Sequence, residues 1–217
     1  MHIVKIAFGA RSFAALMLIG FVAGCSTPEA GPPPLLDLTA AQCGSIPDLM
    51  GATKLAYNPE KNGNKTTARI TAVSACFKDT SGPSLYAAYE LPSSSTSYIV
   101  RVASEPEGKT LLALRVLLYG ADGSVKREFS GKQIVFRGSV LSVIFRSHDD
   151  ERYLVVASDP AAVGHTDSRV QEATQSYMAA TGVGFYSNIY TGSDVVRKNI
   201  LSHNGRVIVS LEPLAVK

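Results

Sequence analysis

Short apolar segments separated by turn residues recur from residue 52 to the end of the chain. Residues 98–103 alternate between apolar positions and positions such as Arg101, which is the period of two expected of a half-buried strand. Residues 111–119 are nearly all apolar, as in a central strand of a sandwich. Strands that recur at about 8–12 residues predict an all-β fold, an antiparallel β-sandwich of jelly-roll type. A single sheet closed on itself is the competing architecture.

The same signals predict the remaining strands. They cover residues 54–57, 68–77, 85–91, 125–129, 134–136, 139–146, 152–157, 195–202 and 206–211. Asp122-Gly123 predicts a hairpin between 111–119 and 125–129, and Asn204-Gly205 predicts another between the last two strands. The charged stretch 147–151 is typical of a solvated hairpin turn.

One stretch departs from the strand pattern. Within residues 168–181 the less polar positions recur at i, i+3, i+4 and i+7, which is the spacing of one helix face. These positions are Val170, Ala173, Thr174, Tyr177, Met178 and Thr181. The sequence therefore predicts one short amphipathic helix in the C-terminal part of the domain, followed by a break at Gly182 and Gly184.

The N-terminus has the features of an export signal. Lys5 and Arg11 give it a positive start, and residues 12–24 are uncharged and nearly all apolar. At about 1.5 Å per residue this run is too short to cross a hydrocarbon core of about 30 Å as a helix, so residues 1–24 are predicted to be a signal peptide. Val22-Ala23-Gly24-Cys25 resembles the lipobox of bacterial lipoproteins. A soluble secreted protein with a coincidental cysteine is the alternative.

The lipobox resemblance implies that Cys25 becomes the first mature residue and carries two or three acyl chains, which anchor a protein stably. Ser26, where Asp would resemble an inner-membrane retention signal, implies export to the outer membrane, with the domain facing the periplasm. Residues 25–40 are predicted to be the lipidated N-terminus and a proline-rich tether, because consecutive prolines favour polyproline II. Residues 41–217 are then a single β-sandwich domain.

Removal of the signal peptide changes the charge of the chain. The formal net charge is +3, and loss of Lys5 and Arg11 lowers it to +1. A nearly neutral domain gives no electrostatic reason to expect a nucleic acid partner.

Cys43 and Cys76 are the two cysteines that remain after Cys25. An even pair in an exported chain predicts a disulfide. Such a bridge stabilises by roughly 3–4 kcal/mol on the chain-entropy model. A metal pair would need further His or Cys ligands, and residues 40–80 contain no others. Two free thiols are the remaining alternative.

The sequence matches no motif of a known catalytic class. It has no phosphate-binding glycine loop, no HExxH, no GxSxG and no pair of CxxC motifs. His148-Asp149-Asp150 could supply metal ligands, but charged residues are also what a turn between strands requires. Residues 158–168 contain serine, histidine and aspartate, although closeness in sequence does not build a catalytic triad. We therefore predict a protein that is not an enzyme and has no catalytic residues, metal or cofactor.

One cluster supports a ligand-binding hypothesis. Aromatic residues and an amide crowd one segment between glycines, at Tyr177, Phe185, Tyr186, Asn188 and Tyr190. Aromatic faces stack on the C–H faces of sugars, and amides bind hydroxyl groups. The competing interpretation is that these rings cap one end of the sandwich core. We expect this second interpretation, because the chain has no Trp and needs its other large side chains for the core.

Several blocks of the chain resemble the maltose-operon periplasmic protein family. They are Tyr86-Ala87-Ala88-Tyr89-Glu90-Leu91-Pro92, the paired strands 98–103 and 111–119, Tyr153-Leu154-Val155-Val156, and the hairpin ending Arg206-Val207-Ile208-Val209. The resemblance spans about 50–217. It implies a periplasmic location and an association with maltose and maltodextrin uptake, and it brings no catalytic residues. The lipobox and the lack of that family's C-terminal helical region are departures from it.

Two functions are compatible with these observations. The first is a membrane-anchored accessory or binding module that holds a saccharide, for example in maltodextrin uptake. The second is an envelope structural or assembly protein that docks on another envelope protein or on peptidoglycan.

Overall fold

The computed structural model describes residues 34–58, 64–93, 97–180 and 186–214, with the backbone alone at 170–180 and 186–195. All of these residues belong to one compact unit. The predicted signal peptide and Cys25 lie outside them. None of the described residues forms a helix that is long and apolar enough to cross a membrane.

The described chain consists of β-strands and one turn of 3₁₀ helix. The strands are β1 Thr53–Lys54, β2 Asn64–Ile70, β3 Cys76–Asp79, β4 Gly82–Glu90, β5 Tyr98–Glu105, β6 Thr110–Leu112, β7 Leu114–Tyr119, β8 Val125–Phe129, β9 Val135–Arg137, β10 Val140–Arg146, β11 Tyr153–Ser158, β12 Thr166–Ala180, β13 Tyr186–Ser202 and β14 Gly205–Pro213. The 3₁₀ turn is Gly131–Gln133. The all-β class predicted from the sequence is confirmed.

Two large sheets form the body of the molecule. The six-stranded sheet has the order β1-β4-β11-β7-β8, with β3 also paired to β4, and the five-stranded sheet has the order β2-β14-β5-β10-β9. Neighbouring strands are antiparallel except for β1, which runs parallel to β4. Neither sheet closes on itself over the described residues, as expected of the predicted sandwich. The strands 98–103 and 111–119, predicted to be paired, lie in different sheets.

The two sheets enclose one hydrophobic core. Alternate residues of β5 face it, so Val100 and Val102 have no exposed surface while Arg101 stays half-buried, as the period of two predicts. The six-stranded sheet contributes Leu85, Tyr89, Leu114, Val116, Leu118, Leu154 and Val156, and the five-stranded sheet contributes Leu141, Val143, Phe145, Val207, Val209 and Leu211. Each fully buried aliphatic side chain contributes about 1.5–3 kcal/mol.

A second apolar layer covers the outer face of the six-stranded sheet. Its members are Phe77, Tyr86, Leu117, Tyr119, Val155 and Ala157. The stretch 44–50 lies over it, because Leu49 packs on this layer and the backbone N–H of Asp48 donates to Tyr86 Oη at 2.7 Å. The predicted disulfide between Cys43 and Cys76, whose Cα atoms are 4.7 Å apart, fastens this stretch to β3.

The folded unit begins earlier than the sequence predicts. Leu36 and Leu38 belong to the stretch predicted to be tether, yet Leu36 packs against the main core and Leu38, only 6% exposed, is part of it. Two apolar side chains are thus enough to attach the chain to the sandwich before residue 41.

The two predicted hairpins have different outcomes. β7 and β8 pair around Asp122-Gly123, where Gly123 has a φ of 76° that favours glycine. The Asn204-Gly205 hairpin is wrong, because β13 and β14 belong to different sheets. Gly205 serves close packing instead, since a Cβ there would lie 2.9 Å from the backbone nitrogen of Leu112.

The predicted helix is also wrong. Residues 168–180 lie in β12, which pairs antiparallel with β13 from Thr166↔Ile200 to Ala180↔Tyr186; Thr181 lies outside the described residues. The helical spacing counts Thr174 as a less polar position, although threonine, like Val170 and Tyr177, is a good strand former. Pairing with the strand-forming segment that follows decides the conformation.

Candidate functional site

One end of the sandwich has a polar pocket. Residues 147–151 cross there from β10 in the five-stranded sheet to β11 in the six-stranded sheet, so they form a crossover and not the predicted hairpin turn. The pocket has a volume of about 260 Å³. Its lining consists of Leu91, Pro92, Ser93, Tyr98, Ala121, Ser147, His148, Asp149, Asp150, Glu151 and Arg152.

A charge pair supports this crossover. The side chain of Glu151 is fully buried, and Arg127 donates to both of its carboxylate oxygens, from Nε and, at 2.9 Å, from Nη2. Glu151 also accepts the backbone N–H of His148 at 2.9 Å, and Arg127 donates to the carbonyl of Arg146 at 2.8 Å. These bonds connect β8 to both ends of the crossover and fix its backbone.

The aromatic residue of the pocket is held in the core. Burial raises the pKa of Tyr98 to about 12, so the phenol stays protonated, and it donates to the carbonyl of Pro92 at 3.1 Å. Its ring packs against Tyr57 with centroids 4.8 Å apart, and the whole residue is only 3% exposed. Tyr98 therefore offers no free face on which a sugar could stack.

Arg152 lines both this pocket and a smaller cavity of about 130 Å³. Its guanidinium donates to Glu90 and to Ser93 Oγ. The side chains of residues 148–150 are exposed, and over the described residues no three His, Cys, Asp or Glu side chains group to hold a metal ion. With a volume of about 260 Å³ and the exposed carboxylates of Asp149 and Asp150 in its lining, the pocket has room for one small polar molecule.

A serine–histidine pair lies inside the fold, and it joins Ser158 of the stretch 158–168 to His203, which lies outside that stretch. Ser158 Oγ is 2.9 Å from Nδ1 of His203 and accepts the backbone N–H of Leu85 at 3.1 Å. Asp167 instead accepts a hydrogen bond from Arg169 at 2.9 Å. Ser158 has no exposed surface, so its hydroxyl does not face a substrate and the pair is structural. The two residues are 45 positions apart, and no local motif signals their contact.

Burial lowers the pKa of His203 below its ordinary value of 6.5, and the carboxylate of Asp37 opposes this shift in part. In the tautomer with an unprotonated Nδ1, the neutral imidazole accepts a hydrogen bond from the Ser158 hydroxyl. A proton on Nδ1 would leave that hydroxyl without this acceptor in a buried site.

The aromatic candidates lie on β12 and β13. Tyr177 is opposite Ile189, and Phe185 lies outside the described residues. In β13, Tyr186, Asn188 and Tyr190 are opposite Ala180, Met178 and Ser176. Alternate residues of a strand share a face, so residues 186, 188 and 190 are on one face and residue 177 is on the other. The register groups three candidates and separates Tyr177 from them.

The described candidates belong to what we call the ribbon, residues 170–180 of β12 and 186–196 of β13. The third strand of this sheet, β6, pairs only with Ile200, Leu201 and Ser202. At about 3.3 Å per residue the ribbon is roughly 35 Å long. A two-stranded ribbon alone is marginally stable in water. In the strand register Glu172 is directly opposite Asp194, and like charges at directly opposite positions destabilise a strand pair.

The base of the ribbon is anchored to the five-stranded sheet by Arg169. Its Nη1 donates to the carbonyl of Gly138 at 3.0 Å, and its guanidinium lies 3.4 Å from the ring centroid of Phe136. These contacts fix the start of the ribbon on the β9–β10 turn.

The outer edge of β12 is open. Leu201 donates its N–H to His165 and Ile200 donates to Lys109, so odd-numbered residues of β12 bond to β13 and even-numbered residues direct their N–H and C=O groups outward. Over the described residues no strand pairs with that edge. The sequence from 170 to 196 also contains no Lys, Arg or Pro, the residues that commonly protect an edge.

No protein-family model, curated protein or solved structure matches this chain.

Proposed function

We propose that this protein is a lipoprotein of the bacterial outer membrane, anchored through Cys25 and facing the periplasm, and that it is a docking module without catalysis of its own. The export signal and the lipobox-like Val22-Ala23-Gly24-Cys25 support the anchor. The disulfide between Cys43 and Cys76 suits an oxidising compartment. The chain between Cys25 and Leu36 then links the lipid to the sandwich.

The open edge of β12 carries the docking function. An edge with free N–H and C=O groups pairs with a further strand, and this β-augmentation is a common mode of protein recognition. The ribbon is also less stable alone than with a third strand. Among the functions that the sequence allows, an envelope assembly protein that docks on another protein uses this edge directly.

A photocrosslinking experiment in intact cells tests this function. A benzophenone amino acid at Gln175, in the middle of the ribbon, should give a crosslinked species of higher mass. The same amino acid at Thr67, exposed on the outer face of β2, is the control and should give none. Absence of any crosslink at Gln175 and at other ribbon positions would contradict docking through the ribbon.

Saccharide binding, in an accessory role in maltodextrin uptake, is the second candidate function. It is favoured by the register that groups residues 186, 188 and 190, and by the polar pocket beside residues 148–152. Titration calorimetry with maltodextrins tests it. Tyr190→Ala should weaken binding by about 1–2 kcal/mol if the sugar stacks on the ribbon, whereas Asp150→Asn should weaken it if the sugar enters the pocket. No heat of binding for the unaltered protein would exclude this function.

A further inference from the structure

We propose that the partner of the ribbon is a second copy of this chain, whose β12 edge pairs antiparallel with the same edge about a two-fold axis at Gln175. This inference rests on the proposed docking function and identifies its partner. It follows from the direction of the backbone groups of β12, from the charges along it, and from the length of the ribbon.

A two-fold axis at Gln175 gives a register that the backbone allows. Even-numbered residues direct their hydrogen-bonding groups outward, so Thr174 would exchange hydrogen bonds with Ser176 of the partner subunit. Gln175 then faces the partner subunit's Gln175 as a non-hydrogen-bonded pair. Val170 lies opposite the partner subunit's Ala180, so the whole of residues 170–180 is paired in each copy.

The charges of β12 are compatible with self-pairing. In this register Glu172, the one charged residue in 170–180, lies opposite Met178 of the partner subunit. No like charges therefore face each other across the new interface. The result is a four-stranded sheet, which has the three or more strands that independent stability requires.

The edge of β13 is a poorer choice. It is continued by β6 at Ile200, so a long antiparallel partner strand would meet β6. Arg197 and Lys198 are exposed beside it, and cationic residues at an edge discourage pairing.

Identical copies are also the most available partners. Copies anchored in the same membrane leaflet share a thin layer of solvent, which raises their effective concentration for each other. An antiparallel pair of β12 edges places each ribbon beside the base of the other, so both copies use the same surface and the assembly closes as a dimer.

Engineered cysteines test the register. Residues directly opposite in an antiparallel pair have Cβ atoms about 4.5–5.5 Å apart, so Gln175→Cys in the full lipidated chain should form a disulfide-linked dimer in its membrane. Ser176→Cys alone should not, because it faces position 174, but a mixture of Thr174→Cys and Ser176→Cys chains should crosslink. Ser193→Cys, on β13, is the control and should stay monomeric.

A proline variant tests the edge without removing the ribbon. Ser176→Pro deletes an outward N–H that the pairing with β13 does not use, so it should abolish the dimer and leave the melting curve of the monomer unchanged. Ser176→Ala is the matched control and should dimerise as the unaltered chain does. Sedimentation in detergent measures both. A monomeric unaltered chain, together with no crosslink of Gln175→Cys, would overturn the proposal.

The outcomes also separate this inference from the docking function. If Gln175→Cys gives no dimer while the benzophenone at Gln175 crosslinks to a different protein, the partner is not a second copy of this chain, and docking through the ribbon is still supported. If Gln175→Cys gives no dimer and the benzophenone crosslinks neither at Gln175 nor at the other ribbon positions, both are wrong.

Discussion

Nδ1 of His203 lies 2.9 Å from Oγ of Ser158, and the imidazole interacts electrostatically with Asp37 of the N-terminal segment. Burial lowers the pKa of this imidazole below 6.5, so the unfolded chain binds the proton more tightly than the folded protein does. Stability is therefore fully present above pH 6.5 and falls as the pH is lowered from there toward the folded pKa.

This relationship predicts a measurable pH dependence. The melting temperature should decrease between pH 7 and pH 5, and His203→Gln should reduce that decrease, because glutamine does not titrate. His165→Gln, at an exposed position in the loop after β11, is the control and should retain the dependence. Equal slopes for His203→Gln and the unaltered protein would show that His203 is not responsible.

The ion pair of Arg127 and Glu151 gives a second prediction. Glu151→Leu should destabilise the fold by about 3–5 kcal/mol, because it leaves the half-buried guanidinium of Arg127 without its partner. The double variant Arg127→Met with Glu151→Leu should recover much of this loss, since no unpaired charge remains. Urea unfolding of the two single variants and the double variant measures the coupling. A double variant whose loss equals the sum of the single losses would mean that the pair does not interact.

Loss of the disulfide should loosen residues 44–50, which lie over the apolar layer on the outer face of the six-stranded sheet. Cys76→Ala removes the link between Cys43 and β3 and should cost roughly 3 kcal/mol. For a domain of this size each kcal/mol corresponds to about 2–4 °C in Tm. Calorimetry of this variant and of the reduced protein should show the same decrease. If maleimide labels two thiols in the oxidised protein before reduction, the bridge is not formed in solution.

The anchor is tested by labelling. Cells that produce the unaltered chain should incorporate palmitate into it, whereas Cys25→Ser should remain an unlabelled precursor or a soluble form, because the thiol that receives the lipid is gone. Cys43→Ser is the control and should be labelled. Undiminished labelling of Cys25→Ser would exclude lipidation at this position.

The sequence predicted those parts of the fold whose signal is local. The alternation in 98–103 reflects burial on one face of β5, and Asp122-Gly123 holds a turn because Gly123 has a positive φ. Asn204-Gly205 has the same appearance in the sequence. There the glycine makes room for the backbone of Leu112 in a neighbouring strand, and that requirement is set by tertiary packing.

Local sequence patterns could predict neither the ribbon nor the buried contact between Ser158 and His203. Residues 168–181 have a helical period, but the conformation of 168–180 is decided by pairing with β13, whose strand-forming residues lie outside the window in which the period is counted. Ser158 and His203 meet only because β11 and the turn after β13 come together. The sequence singled out the aromatic residues as candidates. Their positions on the two faces of the ribbon depend on a strand register, which is incompatible with the predicted helix.

Hydrogen exchange of the β12 amides is the most direct test of docking through the open edge. In the monomer at high dilution, odd-numbered amides from 171 to 179 bond to β13 and should exchange more slowly than the even-numbered amides from 170 to 180, which face solvent. In the lipidated protein in its membrane, we expect the even-numbered amides to become as protected as the odd-numbered ones. Even-numbered amides that exchange equally fast in both states would contradict it.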